Sequence, residues 1–205
     1  TGLEIISTYI GRIILIGVVI SFLITFLIIY RKPVFDDWKM MLLISLIFFV
    51  ELGITYIIVL RLDNSPYLIP ITVAAMTFTI LFDARIGFMG TTSMAILIGI
   101  MIGNDFDFMV VAIFTSSVAM YNVRELRTRT QVFKTIFSLL AASLVVMIGL
   151  WLFKGSGWNG IQVDIINLFI MSILAPIVTY GLIGLLEIAF QITTDLTLLE
   201  LLDFD

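Results

Sequence analysis

Residues 13–33 read Ile13-Ile14-Leu15-Ile16-Gly17-Val18-Val19-Ile20-Ser21-Phe22-Leu23-Ile24-Thr25-Phe26-Leu27-Ile28-Ile29-Tyr30-Arg31-Lys32-Pro33. No charge interrupts the stretch before Arg31. An apolar run of about 20 residues is what an α-helix needs to cross a hydrocarbon core of about 30 Å. The run ends on a tyrosine, two basic residues and a proline, the residue types that mark a helix leaving the membrane.

The same pattern recurs along the chain. Seven apolar segments, 5–30, 40–60, 67–82, 87–102, 108–121, 132–153 and 165–190, are separated by short polar breaks. The runs are too long and too non-alternating for barrel strands, and lipid leaves backbone groups no partner outside the segment, so the segments are predicted helices. The fold class is all-α, an integral membrane bundle of seven transmembrane helices over residues 1–190, with a cytoplasmic segment at 191–205. Segments three, four and five hold nearer 15 residues, about 22 Å at 1.5 Å per residue. They are expected to be full spans extended by their polar flanks, with a re-entrant pair of segments four and five as the alternative.

Composition excludes a soluble domain. Of 205 residues, 61% are hydrophobic and 13% charged, and the mean hydropathy is +1.19. Cysteine and histidine are both absent. This rules out disulfides, thiolate chemistry, histidine metal ligands and histidine acid–base catalysis within the chain. No cleavable signal peptide is evident, since the first run is long and lacks a basic leader. The chain begins at Thr1, so it is expected to be a fragment of a longer polypeptide. Nothing in it calls for a nucleic-acid partner; the expected surroundings are the lipid bilayer.

Orientation follows from the basic residues. With the N-terminus outside, the cytoplasmic breaks hold Arg31, Lys32, Lys39, Arg85, Arg124, Arg127, Arg129 and Lys134, eight of the eleven Lys and Arg. Arg12, Arg61 and Lys154 fall on the other side. That asymmetry predicts N-terminus outside and C-terminus cytoplasmic. Tyr30, Trp38, Tyr67, Tyr121, Trp151 and Trp158 fall near helix ends, as an interfacial aromatic belt does. No internal repeat supports an inverted-repeat transporter.

Several residues are candidates for function. Glu51 lies midway along segment two, where an ionisable group is expensive. It reads either as a proton-, cation- or ligand-responsive carboxylate or as a structural group bonded to a neighbouring helix. Asp83 and Arg85 sit between segments three and four, as a cytoplasmic switch or as a tight helical-hairpin turn. Asn104, Asp105 and Asp107 form an acidic loop that reads as solvated or as a cation site with too few ligands on its own. Arg124, Arg127 and Arg129 form the strongest basic feature. They read as a topology determinant touching anionic lipid, or as a dock for the acidic segment carrying Asp195, Glu200 and Asp203. Pro70 and Pro176 lie inside apolar runs and are expected to kink them, Pro176 just before the C-terminal segment. Gly99 with Gly103, and Gly181 with Gly184, offer small positions for close helix contact. No phosphate-binding loop, nucleophile elbow or hydrolase-spaced carboxylate pair occurs, so the chain itself is not expected to be an enzyme.

The segment Gln191-Ile192-Thr193-Thr194-Asp195-Leu196-Thr197-Leu198-Leu199-Glu200-Leu201-Leu202-Asp203 resembles the "TTDLxLLELSD" linker of bacterial seven-transmembrane receptors that carry a cytoplasmic HD-type phosphohydrolase domain. Tyr67-Leu68-Ile69-Pro70, Leu81-Phe82-Asp83-Ala84-Arg85 and the break from Tyr121 to Arg129 are similar to that family too. Leu202 departs from its usual Ser. The resemblance implies a PgpH-type cyclic-di-AMP phosphodiesterase of the bacterial inner membrane, with this chain as its sensor, relay and anchor. It implies an extracellular domain before the bundle and, after Asp205, an HD hydrolase domain with a di-metal centre; no cofactor is assigned to this chain. Two other readings stand beside it. One is a small-molecule-binding or transport protein of the vitamin-uptake type, with Glu51, Asn167 and Tyr180 as its polar candidates. The other is a structural module that anchors the enzyme and holds it as a homodimer.

Overall fold

The computed structural model describes residues 2–123, 129–155 and 161–190. Every regular element among them is helical: α1 (Gly2–Tyr30), α2 (Lys32–Asp36), α3 (Trp38–Thr55), α4 (Ile71–Leu81), α5 (Ala84–Met101), α6 (Phe106–Val123), α7 (Arg129–Lys154) and α8 (Ile161–Phe190). A π-helical turn, Tyr56–Arg61, prolongs α3, and a short 3₁₀ turn, Pro66–Leu68, precedes α4. Among the described residues, six helical stretches are long and apolar enough to cross a membrane, and Pro66–Leu81 is a shorter apolar one. The chain is a multi-pass membrane protein.

The short segments resolve unequally. Both α5 and α6 hold 18 residues, about 27 Å of helix, close to a hydrocarbon core. The short member is segment three. Its proline does not kink a span as expected: Pro70 occupies the N-cap of α4 (φ −80°, ψ 40°), and helix begins only at Ile71. A residue without an N–H fits there because the first N–H groups of a helix have no intrahelical partner.

Helix α4 is the axis of the bundle. It packs on α5, α6 and α8 and more lightly on α3, and every residue from Ile71 to Leu81 except Ile80 is buried. An all-apolar, small-residue sequence with threonines, Ile71-Thr72-Val73-Ala74-Ala75-Met76-Thr77, suits a helix covered on all sides. Helix α7 closes the far side between α6 and α8, and α1 leans on α5. Outward faces of α1, α3, α7 and α8 expose Ile13, Phe22, Phe49, Phe137, Val145, Leu185 and Ile188, the surface expected towards lipid tails.

Close packing between α4 and α5 depends on two glycines that the spacing of the sequence did not single out. A Cβ on Gly87 would stand 2.4 Å from Thr79 Oγ1, and one on Gly90 3.2 Å from the Phe78 ring. Thr79 cannot easily move away, since its hydroxyl donates to the Ala75 carbonyl at 2.8 Å. The glycines expected to do this work behave otherwise. Gly103 has φ +105° and turns the chain out of α5, and Gly181 and Gly184 face open space. Only Gly99 meets a neighbour, the flexible side chain of Met109.

Gly87→Leu is therefore expected to destabilise the bundle by about 1–3 kcal/mol. Gly184→Leu should stay within about 0.5 kcal/mol of the wild type. Thermal unfolding in detergent micelles separates the two, and equal effects would show that α4 and α5 do not pack this way.

Candidate functional site

Charge divides the two ends of the bundle. One end gathers the end of α1, the start of α3, the α4–α5 turn and the first turns of α7, and carries Arg31, Lys32, Lys39, Arg85 and Lys134. We call it the basic end. The opposite, acidic end joins the loop after α3, the α5–α6 loop, the end of α7 and the start of α8, with Asp105, Asp107 and Asp164.

At the basic end, Asp83 does two jobs. Its Oδ1 accepts from the backbone N–H groups of Arg85 and Ile86, both at 2.8 Å, which caps α5. Its other oxygen pairs with the Arg31 guanidinium, fastening the end of α1 to the α4–α5 turn. Both side chains are about one-third exposed. Arg85 contributes its backbone to the cap and is itself exposed. The hairpin turn is thus tight and capped, and Arg31 is the partner that sequence reasoning missed.

Glu51 sits on the inward stripe of α3 with Leu43, Ile44, Ile47 and Thr55. It is 4% exposed, and its Oε1 has no hydrogen-bond partner. The hydroxyl of Thr55, one turn on, is spent on Glu51's own backbone carbonyl at 2.9 Å. The π-helical turn Tyr56–Arg61 begins directly after, with Leu62 N–H reaching back five residues to Ile57. Turns of this kind often accompany functional sites.

At the acidic end the predicted acidic loop is locked rather than open. Asp105 caps α6 by accepting from Phe108 N–H at 3.0 Å, and Asp107 pairs with Lys154 of α7. Asp164 accepts from the Ser65 hydroxyl at 2.8 Å, tying α8 to the loop before α4. Among the described residues no three His, Cys, Asp or Glu side chains converge as a metal site would require.

Pro176 is buried within α8, between Ala175 and the Thr179 turn that faces Met76 of α4. Asn167 is 8% exposed and its Nδ2 has no partner, whereas Tyr180 is 39% exposed. Arg124, Arg127, Asp195, Glu200 and Asp203, and the side chain of Arg129, lie outside the described residues.

The fold defines a polytopic helical membrane bundle. Within that class, the family described as "7TM receptor with intracellular HD hydrolase" matches residues 6–194. The chain belongs to that family. No curated protein and no solved structure matches it.

If Asp83 both caps and pairs, its two roles come apart in substitution. Asp83→Ala loses both and should cost about 1–2 kcal/mol. Asp83→Asn keeps a capping side chain and should cost less than about 1 kcal/mol, a loss that vanishes near 1 M salt. Thermal midpoints in detergent at low and high salt test this.

Proposed function

We propose that this chain is the sensing, relay and anchoring module of a membrane-bound, HD-type cyclic-di-AMP phosphodiesterase of a bacterial inner membrane. The observation that carries the reading is family membership across residues 6–194. The absence of histidine from all 205 residues agrees with it. An HD hydrolase binds its metals through His and Asp, so hydrolysis belongs to a domain outside this bundle. No catalytic role is assigned to any residue here.

In this reading the basic end faces the cytoplasm, in line with the positive-inside bias. Helix α8, with Pro176 in its buried face, leads towards the hydrolase through the segment that carries Asp195, Glu200 and Asp203. The basic residues Arg124, Arg127 and Arg129 offer that segment complementary charge, and Asp83 and Arg85 lie on the same side. Glu51 is the intramembrane polar group through which bundle packing would respond. Such a relay needs two arrangements that bind an external signal differently.

The decisive experiment replaces the bundle by an unrelated membrane anchor in the parent protein and measures cyclic-di-AMP hydrolysis with and without stimulus. Loss of regulation with retained basal activity is the expected result. Unchanged regulation would leave the bundle an anchor only. Single-cysteine labelling adds an orientation test, since the chain has no cysteine of its own. A membrane-impermeant thiol reagent applied from outside should modify Phe106→Cys and spare Lys39→Cys.

A further inference from the structure

Among the described residues, no basic side chain pairs with Glu51. The span from Trp38 to Arg61 places it thirteen residues from one end and ten from the other, about 20 Å and 15 Å at 1.5 Å per residue. It therefore lies near mid-depth, where an ionised group is most costly. Of the elements that pack on α3, helix α4 carries no titratable side chain. Helix α5 carries only Arg85, exposed at the basic end, where Lys32 and Asp36 of α2 are exposed as well. On α3 itself, Lys39 is exposed twelve residues earlier. The π-helical turn ends in Arg61, which is exposed and holds its guanidinium over the Tyr56 ring at 5.8 Å.

A carboxylate in that place would be a desolvated charge without compensation, and a group so placed neutralises instead. A metal ion does not supply the missing charge. Hard divalent cations take about six to eight oxygen ligands. The stripe of α3 beside Glu51 offers Leu43, Ile44, Ile47 and Thr55, and the Thr55 hydroxyl already donates to the Glu51 carbonyl. No group of three His, Cys, Asp or Glu side chains converges among the described residues. A proton needs no further ligand, since it turns the carboxylate into a neutral acid. Helix α3 is also placed to respond. Its outward face exposes Leu46, Phe49 and Val50. Its inward face meets α4 through the Phe48 and Phe78 rings, 6.0 Å apart. The π-helical turn interrupts its α-helical hydrogen bonds directly after Thr55.

We propose that Glu51 is a proton-binding site: the packed bundle holds it as the neutral acid, and loss of that proton to water unseats α3 from α4. The packed arrangement binds one proton more than the open one, in which water solvates the carboxylate. Raising the pH therefore favours the open arrangement, by up to about tenfold per pH unit for a single proton. The use of this proton as a stimulus rests on the relay reading, whereas its binding and the movement of α3 do not.

The chain has no native cysteine, so two spin labels can be placed at exposed positions, Phe49→Cys on α3 and Phe137→Cys on α7, in lipid nanodiscs. Double electron–electron resonance then reads the distance between the two helices. As the pH is raised from about 5 to about 9, a second, displaced distance should appear, its share relative to the first growing by up to about tenfold per unit. Glu51→Gln, a neutral isostere of the acid form, should hold the first distance at every pH. Glu51→Met takes its place if that variant does not fold. The infrared difference between wild type and Glu51→Gln near neutral pH should show the carbonyl stretch of a protonated carboxyl. Carboxylate bands in that spectrum would mean that Glu51 is ionised in the packed bundle. A distance that never changes, or a shift that survives the loss of the carboxyl, would mean that α3 does not answer to this proton. Each of these outcomes overturns the proposal. Both readouts are made without the hydrolase, so their failure leaves the relay reading to the replaced-bundle experiment.

Discussion

A helix of 11 residues spans about 16 Å and cannot cross a hydrocarbon core of about 30 Å. Helix α4 avoids the difficulty because it is covered by α5, α6, α8 and α3. Backbone outside a helix is tolerated at membrane depth only where protein or water covers it. The stretch from Ser65 to Pro70 meets that condition through the 3₁₀ turn, buried Tyr67 and Ile69, and the Ser65 bond to Asp164. The longer helices are arranged around this one. Gly87 and Gly90 let α5 approach closely enough to seal one side, and α8 presents Ala175 and Thr179, both fully buried, on another.

This constraint explains what could be read from the sequence. Helices α1, α3, α7 and α8 follow from apolar runs that no other structure could satisfy in lipid, and of the eight basic residues counted to one side, Arg31, Lys32, Lys39, Arg85 and Lys134 are described and share one end. Glu51 stands out because its neighbours in sequence are apolar over several turns, and it is buried as that position suggests. By contrast, the α4 boundary depends on Pro70 acting as a cap, which an apolar run such as Ile69-Pro70-Ile71 does not reveal. Arg31 and Asp83 meet only because the end of α1 lies beside the α4–α5 turn. The glycines show the same limit: spacing identifies small residues but not the face they occupy, and Gly181 with Gly184 points away from the bundle.

Two polar groups without partners, Glu51 and Asn167, are buried on helices that both pack on α4. The last residue of α4, Leu81, is followed by Phe82 and the capping Asp83. A disturbance at either polar group therefore reaches the same rigid element, whose far end is held to α1 by one ion pair. The packing of α4 allows little continuous deformation, because Thr79 and Phe78 already touch the positions a Cβ on Gly87 or Gly90 would fill. The Arg31–Asp83 contact is partly solvated and worth only about 0–1 kcal/mol. Two arrangements of the bundle would differ least in free energy there, at the basic end. The N-cap that Asp83 gives α5 need not break when the pair does. A relay built on this turn could release α1 while keeping α5 intact, confining the change to the helix that packs on little besides α5.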